Sequence, residues 1–186
     1  MRTAVLASAL ILVGGCASTS SSTSVRDLQG GPLDPLAARD ARAIVLVFAD
    51  PECPISNAFA PELSRMHAEF APRGVRFYLV YADHRRTVEN LRAHATAFGY
   101  PMTAVRDAEQ ELVRRAGATL TPEACVFLPG GELVYRGRID DRYVDFGKLR
   151  AAPTSRDLHD ALEAVLSGRT PVRPWPPAIG CTIPGK

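Results

Sequence analysis

Two hydrophobic patterns alternate along the chain. Residues Ala43–Ala49 (AIVLVFA) and Val75–Tyr81 (VRFYLVY) are short runs rich in β-branched and aromatic side chains, which predict buried strands. Residues 124–128 (ACVFL) form a third such run. The turn at 129–131 (PGG) joins that run to the alternating segment 132–136 (ELVYR), as expected for a β-hairpin.

Segments of helical periodicity separate these strands. The first begins at Ser56 or Asn57 and extends to Phe70, and Pro72 and Gly74 end it. Its apolar residues recur at the spacing of one helix face: Phe59, Leu63, Met66 and Phe70. We also predict a short strand at 103–105 and helices at 87–98, 108–115 and 155–167. Thr154 or Ser155 is the expected N-cap of the last helix.

This order of elements predicts an α/β fold. Alternating strands and helices form a parallel sheet, and the hairpin adds antiparallel strands at one side. Ligands in such sheets bind beyond the carboxyl ends of the parallel strands. Cys53 follows the first strand and precedes the first helix, so it is expected at that edge.

Composition narrows the function classes. The 186 residues correspond to about one domain. With 46% hydrophobic residues, the chain is neither wholly disordered nor a multi-span membrane protein. The net charge is +2 without a basic cluster, which gives no support for a nucleic-acid partner. No cofactor or metal site is predicted, because phosphate-binding and metal-binding motifs are absent and the histidines lack metal spacing: His67, His84, His94 and His159.

The N-terminus predicts export. Met1 and Arg2 precede the apolar run 4–13 and Gly14-Gly15-Cys16, a pattern typical of a secretory signal. Residues 13–16 also resemble the bacterial lipobox, in which the cysteine is lipidated. We therefore expect a signal peptide at 1–15, lipidation at Cys16, a Ser/Thr-rich tether at 16–27 and attachment to a membrane of the bacterial cell envelope, facing the periplasm or the exterior. Plain secretion, with cleavage elsewhere, is the alternative.

Lipidation of Cys16 would leave Cys53, Cys125 and Cys181 in an oxidising compartment, where disulfides persist. A thiol at the start of a helix faces free backbone N–H groups and the positive end of the helix dipole, which favour the nucleophilic thiolate. Pro54 suits the first helical position because it has no N–H to satisfy. We therefore predict that Cys53 is reactive, the alternative being a buried structural cysteine.

Two motifs resemble the thioredoxin superfamily: Cys53-Pro54-Ile55-Ser56 after the first strand and Thr121-Pro122 before the hairpin. The added strand and helix at 103–115 resemble the redoxin branch, which includes the alkyl hydroperoxide reductase/thiol-specific antioxidant family and membrane-tethered thiol-disulfide proteins. The resemblance covers about residues 28–168. It implies a thioredoxin-like three-layer sandwich, with a mixed central sheet, flanking helices and the redoxin strand–helix insertion.

A Pro-rich tail, residues 169–186, follows this domain and carries Cys181 without a predicted helix or strand. Its Gly180-Cys181-Thr182-Ile183 matches the Gly-Cys-x-Ile ending of a subgroup of redoxin-domain proteins. The resemblance also implies that Pro122 is a cis-proline beside Cys53 and that Thr121 and Pro122 offer backbone to a substrate chain.

Two positions depart from the pattern of the superfamily. Thioredoxins carry a second cysteine where Ser56 lies, so Cys53 has no resolving thiol beside it. Peroxiredoxins carry Thr or Ser where Asp50 lies. A carboxylate at that position would disfavour a thiolate, which argues against efficient peroxide reduction.

Cys181 is the preferred partner of Cys53, because Cys125 lies in a predicted strand and is expected to be a core residue. The 13 residues from 169 to 181 span up to ~40 Å when extended, whereas the last helix leads only ~18 Å away from the site. We therefore predict a Cys53–Cys181 disulfide, as a catalytic resolving pair or as a resting lock. Four further residues are expected on a loop bordering the site: Asp140, Asp141, Arg142 and Tyr143. They could contact a substrate or hold the tail. The alternative is that the loop is an ordinary solvated one.

Three functions fit these observations. The first is an exported thiol–disulfide oxidoreductase that acts on protein or small-molecule disulfides and thiols, with Cys53 as nucleophile and Cys181 or an external thiol resolving the mixed disulfide. The second is a peroxide-reducing redoxin, in which Cys181 condenses with a sulfenic acid at Cys53. The third is a non-catalytic binding module, in which the disulfide is a permanent staple and residues 138–153 form the interaction surface.

Overall fold

The computed structural model describes residues 23–185, so the predicted signal peptide, Cys16 and the first part of the tether lie outside the described residues. The strands are β1 (Arg26–Asp27), β2 (Ala43–Ala49), β3 (Val75–Tyr81), β4 (Thr103–Arg106), β5 (Leu120–Thr121), β6 (Glu123–Phe127), β7 (Leu133–Gly137), β8 (Tyr143–Asp145), β9 (Lys148–Leu149) and β10 (Cys181–Thr182). The α-helices are α1 (Pro54–Ala58), α2 (Ala60–Phe70), α3 (Val88–Ala97), α4 (Glu111–Ala116) and α5 (Asp157–Leu166).

Six of the strands form one mixed sheet in the order β1-β4-β3-β2-β6-β7. Strands β2, β3 and β4 are parallel, whereas β6 runs antiparallel to β2 and β7 antiparallel to β6. The predicted parallel centre with an antiparallel hairpin at one side is therefore confirmed. Arg26–Asp27, just before the predicted start of the domain at residue 28, forms an edge strand beside β4.

The side chains of β2 alternate between two buried clusters, one on each face of the sheet. Val45 and Val47 pack with apolar residues of α1, α2, α3 and α5. Ile44 and Phe48 pack on the other face with α4, with the N-terminal segment around Leu36 and with Ile183 of the tail. Burial on both faces explains why the sequence of β2 is continuously apolar.

The helix predicted from Ser56 or Asn57 to Phe70 is two helices that meet at Phe59. Pro61 lies in the first turn of α2 and has no N–H to donate to the preceding turn, so the helical hydrogen bonding restarts there. Gln110 has a left-handed backbone, with φ of 55°, so α4 begins at Glu111 rather than at Ala108. Asp107 caps α4 by accepting from the backbone N–H groups of its first turn.

The predicted cap of the last helix is wrong. Arg156 is the N-cap of α5 and makes no side-chain cap hydrogen bond. The backbone N–H groups of Thr154 and Ser155 instead donate to the carboxylate of Asp141, which holds this segment against the preceding loop. None of the described helices is long and apolar enough to span a membrane.

The tail was predicted to have neither helix nor strand, but it contains a short strand. It packs back across the sheet and ends in β10, which pairs antiparallel with β5. Ala178 and Ile183 are buried, and Trp175 packs against Tyr135 with ring centroids 6.1 Å apart. The tail therefore returns to the edge of the sheet where Cys53 lies.

Candidate active site

The fold brings Cys53 and Thr121-Pro122 to one edge of the sheet. Strand β2 ends at Ala49, and Cys53 follows four residues later. Because β6 is antiparallel to β2, with Phe48 opposite Glu123, the residues that precede β6 lie beside the carboxyl end of β2. The Thr121-Pro122 peptide bond is cis, as the resemblance implied.

Cys53 is the N-cap of α1, and Pro54 occupies the first helical turn, as predicted. The side chain of Cys53 is 1% exposed. Its Sγ accepts a hydrogen bond from the backbone N–H of Ser56 at 3.4 Å, and its S–H donates to the carbonyl oxygen of Thr121 at 3.0 Å. The sulfur therefore accepts from one backbone N–H group and donates to one backbone carbonyl group, both within the protein.

Strand β10 places the tail directly beside this sulfur. Cys181 pairs with Thr121 and Thr182 with Leu120. The backbone N–H of Ile183 donates to the carbonyl oxygen of Thr119 at 2.9 Å, and the Gln110 side chain donates to the carbonyl oxygen of Pro184 at 2.6 Å. The tail is thus fixed at Cys181 and at the three residues that follow it.

Two glycines allow the tail to lie this close. A β-carbon at Gly180 would be 2.0 Å from the carbonyl oxygen of Thr121, and one at Gly137 would be 2.2 Å from the carbonyl oxygen of Pro176. That Pro176 oxygen also accepts the backbone N–H of Arg138 at 3.2 Å. The tail therefore crosses β7 and then β5 in direct backbone contact.

Cys53 and Cys181 line the same pocket, because the residue that pairs with Cys181 in β5, Thr121, also accepts the Cys53 S–H. Burial, the neighbouring Cys53 thiol and the negative charge of Asp50 raise the pKa of Cys181 to about 12. Cys53, Cys125 and Cys181 are all free thiols in this structure. Cys125 lies inside β6, fully buried, and its burial raises the pKa of its thiol well above the usual value. Its predicted place in the core is confirmed, and the predicted Cys53–Cys181 disulfide stays a prediction.

A pocket of about 180 Å³ opens beside the two sulfurs. Three carboxylates and two guanidinium groups border it, belonging to Asp50, Glu52, Asp83, Arg85 and Arg86. Arg86 contacts all three carboxylates: it is 3.4 Å from Asp50, 2.5 Å from Glu52 and 3.3 Å from Asp83. The Arg86 hydrogen bond lowers the pKa of Glu52, and that of Arg85 lowers the pKa of Asp83 to about 2.

Arg86 therefore offsets much of the negative charge that Asp50 brings to the site. Arg86 was not predicted from the sequence as a residue of the site. The sequence feature that indicates a place for Arg86 at the site is its position five residues after the end of β3, at the same edge of the sheet as Cys53.

A buried polar chain behind α1 was also missed. Tyr81 Oη lies 2.6 Å from His94 Nδ1, and His94 Nε2 lies 2.9 Å from Asn57 Oδ1. Burial lowers the pKa of His94, so its ring is neutral and accepts from Tyr81 while it donates to Asn57. This chain joins β3 and α3 to the helix that begins at Cys53.

The four loop residues predicted to border the site make contacts within the protein itself. Asp140 is buried and accepts two hydrogen bonds from the Arg142 guanidinium, which also lies over the Phe59 ring, 4.6 Å from its centroid. Asp141 accepts from Thr154 and Ser155, as described above. Tyr143 is buried against Phe59. None of the four borders the pocket at Cys53, and their role as substrate contacts stays a prediction.

Two other polar features are a buried hydroxyl group near the site and a group of three half-buried side chains elsewhere. Ser56 is buried, and its Oγ has no hydrogen-bond partner within residues 23–185. The side chains of Glu69, His159 and Glu163 approach one another closely enough to hold a metal ion, a grouping that sequence spacing did not suggest. Arg73 pairs with Glu163 through two hydrogen bonds and Arg65 pairs with Glu69, so these carboxylates already have cationic partners.

Comparison with known proteins identifies the family. Residues 19–137 match the AhpC/TSA family, and the chain belongs to it. An uncharacterized conserved protein from Geobacillus kaustophilus is similar in structure, at 28% identity and a TM-score of 0.75 over 87% of both chains. A hypothetical protein from Sinorhizobium meliloti 1021 is similar at 27% identity and a TM-score of 0.74, over 86% of this chain and 88% of that chain. No curated protein matches the chain.

A more distant structure shares the fold. It is a secreted Mycobacterium tuberculosis disulfide oxidoreductase homologous to E. coli DsbE, at 22% identity and a TM-score of 0.52, over 79% of this chain and 96% of that one. The fold is thus a thioredoxin-like α/β fold of the redoxin superfamily, as the sequence predicted.

Proposed function

We propose that the protein is an exported thiol–disulfide oxidoreductase in which Cys53 is the nucleophile and Cys181 the resolving thiol. The observation that carries the proposal is that both cysteines meet at one pocket and contact Thr121, Cys53 through its S–H hydrogen bond at 3.0 Å and Cys181 through strand pairing. Family membership supports it, as does the shared fold of the secreted disulfide oxidoreductase from M. tuberculosis.

The reaction proceeds in two exchange steps. Cys53, as a thiolate, attacks one sulfur of a partner disulfide, forms a mixed disulfide and releases the other sulfur as a thiolate, which takes up a proton. Cys181 then loses its proton and attacks Cys53 Sγ, which releases the partner's second thiol. The partner disulfide is reduced to two thiols, and the enzyme is oxidised to a Cys53–Cys181 disulfide. An external dithiol reduces that disulfide for the next cycle.

The test uses three single variants. Cys53→Ser should abolish reduction of a partner disulfide, whereas Cys181→Ser should trap the mixed disulfide, visible as an adduct by mass spectrometry. Cys125→Ala is the matched control, because Cys125 is buried in β6 and should leave the exchange rate unchanged. Unchanged turnover in Cys53→Ser would refute the proposal.

Peroxide reduction is the second candidate, because a pocket of about 180 Å³ beside Cys53 admits a small molecule without movement of the tail. Cys53 would attack the peroxide oxygen, become a sulfenic acid and release an alcohol or water. Condensation with Cys181 would then form the disulfide and release water. Rapid consumption of hydrogen peroxide by the reduced protein, lost in Cys53→Ser, would favour this candidate.

We also propose that the domain is held at the bacterial cell envelope through a lipid on Cys16. The lipobox-like residues 13–16 and the secreted relative with the same fold support this location. Mass spectrometry of the N-terminal peptide from membrane fractions tests it: diacylglyceryl-modified Cys16 is expected, and an unmodified N-terminus at another residue would refute it.

A further inference from the structure

Three potential metal ligands meet between helices α2 and α5. Glu69 is the last residue but one of α2, and His159 and Glu163 both belong to α5. Residues four positions apart on a helix lie on the same face, so the two α5 side chains project together. One donor atom from each of the three residues lies within 4.8 Å of the other two. The fold therefore brings an imidazole and two carboxylates to one point.

The His159 ring has one nitrogen on the side of the other two ligands. Its Nε2 lies 2.9 Å from Oε1 of Glu69, and its Nδ1 lies 3.4 Å from the carboxylate of Asp160. The ring also packs edge-on against Phe70, with ring centroids 5.1 Å apart. Histidines that bind metals typically donate their other N–H to a carboxylate, which fixes the ring and its tautomer. With Nδ1–H donated to Asp160, Nε2 is the nitrogen that faces an ion.

The arginines around this group leave ligand atoms for a second cation. Arg65 donates to Oε2 of Glu69, so Oε1 stays on the side of His159. Arg73 donates to both oxygens of Glu163, and one of these bonds must break when an ion binds. The Arg73 and Glu163 side chains are 38% and 36% exposed, and ion pairs this exposed contribute little to stability. An ion that bonds directly to three ligands therefore replaces one Arg73 bond at small cost.

The donor set selects the class of metal. Two carboxylates balance a charge of 2+, and the neutral imidazole adds a nitrogen ligand. Mg²⁺ and Ca²⁺ favour oxygen ligands, whereas imidazole suits Zn²⁺ and its neighbours among the transition metals. Donor atoms around a tetrahedral zinc ion lie about 3.4 Å apart, given bond lengths of about 2.0–2.1 Å. Small rotations of the two partly exposed glutamate side chains reach this spacing, and three protein ligands leave one position for water.

We propose that Glu69, His159 and Glu163 form a binding site for a divalent transition-metal ion of the Zn²⁺ type, which joins the end of α2 to α5. The eleven residues of α2 span about 16 Å, with Cys53 before the start of the helix and Glu69 at its other end. The metal site is therefore separate from the thiols, and its occupancy does not depend on the proposed function.

Isothermal titration calorimetry with Zn²⁺ tests the site. The parent for the test is the full chain with serine at positions 16, 53 and 181, because accessible thiols also bind Zn²⁺. We expect one Zn²⁺ per chain. His159→Gln should lower the affinity by about tenfold or more, since losing even an outer partner of a ligand costs that much. His84→Gln is the matched control, because His84 is exposed and lies in neither helix. No binding to the parent, or an equal affinity in His159→Gln and the parent, would overturn the proposal.

Arg73→Gln gives a test in the opposite direction. Removing the guanidinium that holds Glu163 should raise the affinity for Zn²⁺ severalfold, whereas loss of an ion pair that only supports the fold would not. The midpoint of thermal unfolding should rise with Zn²⁺ concentration in the parent and in Arg73→Gln, but not in His159→Gln. An equal rise in all three would place the ion elsewhere on the chain and overturn the proposal. An unchanged or weakened affinity in Arg73→Gln would overturn the exchange of Arg73 for the ion.

Discussion

Gly180 lies so close to Thr121 that a β-carbon at position 180 would be 2.0 Å from the Thr121 carbonyl oxygen. The same oxygen accepts the hydrogen bond that the Cys53 S–H donates. One backbone carbonyl therefore determines both the hydrogen bonding of the nucleophile and the path of the tail. Any change that separates Gly180 from Thr121 also uncovers Cys53.

Gly180→Ala is expected to release β10 from β5. The added β-carbon overlaps the Thr121 backbone, which belongs to the sheet edge and cannot move aside as a flexible side chain would. Alkylation of Cys53 by iodoacetamide, followed by peptide mass spectrometry, should accelerate by about tenfold, equivalent to about 1.4 kcal/mol of lost docking free energy.

Gly185→Ala is the matched control for this substitution, since its β-carbon would meet nothing within 4 Å. Its Cys53 alkylation rate should equal that of the unmodified protein. Trp175 is the only tryptophan of the chain and lies in the tail, so its fluorescence reports tail movement independently. Unchanged alkylation and fluorescence in Gly180→Ala would contradict the close contact.

The tail should undock as the solution becomes strongly alkaline. Burial and Cys53 raise the pKa of docked Cys181 to about 12, above the ordinary value of 9.0. The docked tail therefore holds its proton more tightly than the free tail, so docking is strongest below pH 9.0 and weakens as the pH rises from 9.0 towards 12. Trp175 fluorescence followed across this range should show the change. Cys181→Ser removes the titrating group, and a pH profile identical to that of the unmodified protein would contradict this origin.

The central sheet was predictable because local sequence and tertiary burial agree there. Strands β2 and β3 were predicted with their observed bounds, Ala43–Ala49 and Val75–Tyr81, since burial among helices requires apolar, β-branched runs. The position of Cys53 at a helix start followed from the same pattern and from Pro54. Helix ends were less predictable where a residue distant in sequence binds the backbone. Before α5, for example, the Asp141 carboxylate accepts from the backbone N–H of Thr154, one of the two residues predicted as the N-cap.

The docked tail was not predictable from local pattern. Strand β10 has two residues, and its pairing depends on Thr121, which lies 60 positions earlier in the chain. Chain length showed only that Cys181 is able to reach the site. Arg86 was missed for a related reason, because its contacts with Asp50 and Glu52 exist only once the ends of β2 and β3 meet.

Removing the charge of Arg86 should slow the reactions of Cys53. In Arg86→Gln, the carboxylates of Asp50, Glu52 and Asp83 lose a shared cation beside the sulfurs. Added negative potential disfavours a thiolate, so the rate of Cys53 alkylation at neutral pH should fall severalfold. Arg76→Gln is the control, because Arg76 pairs with Asp40 on an exposed surface and does not border the pocket. An equal fall in both variants would point to lost stability instead of lost charge.

Replacing His94 tests the buried chain behind α1. In His94→Leu, Tyr81 Oη and Asn57 Oδ1 lose their partners, and unsatisfied buried polar groups should lower the free energy of unfolding by about 1–3 kcal/mol in urea titration. Adding Tyr81→Phe removes one of the unsatisfied groups, so the double variant should be more stable than the sum of the two single losses implies. His84→Leu, at an exposed position, should change stability by about 0.5 kcal/mol or less. Strict additivity of Tyr81→Phe and His94→Leu would contradict the hydrogen bond between them.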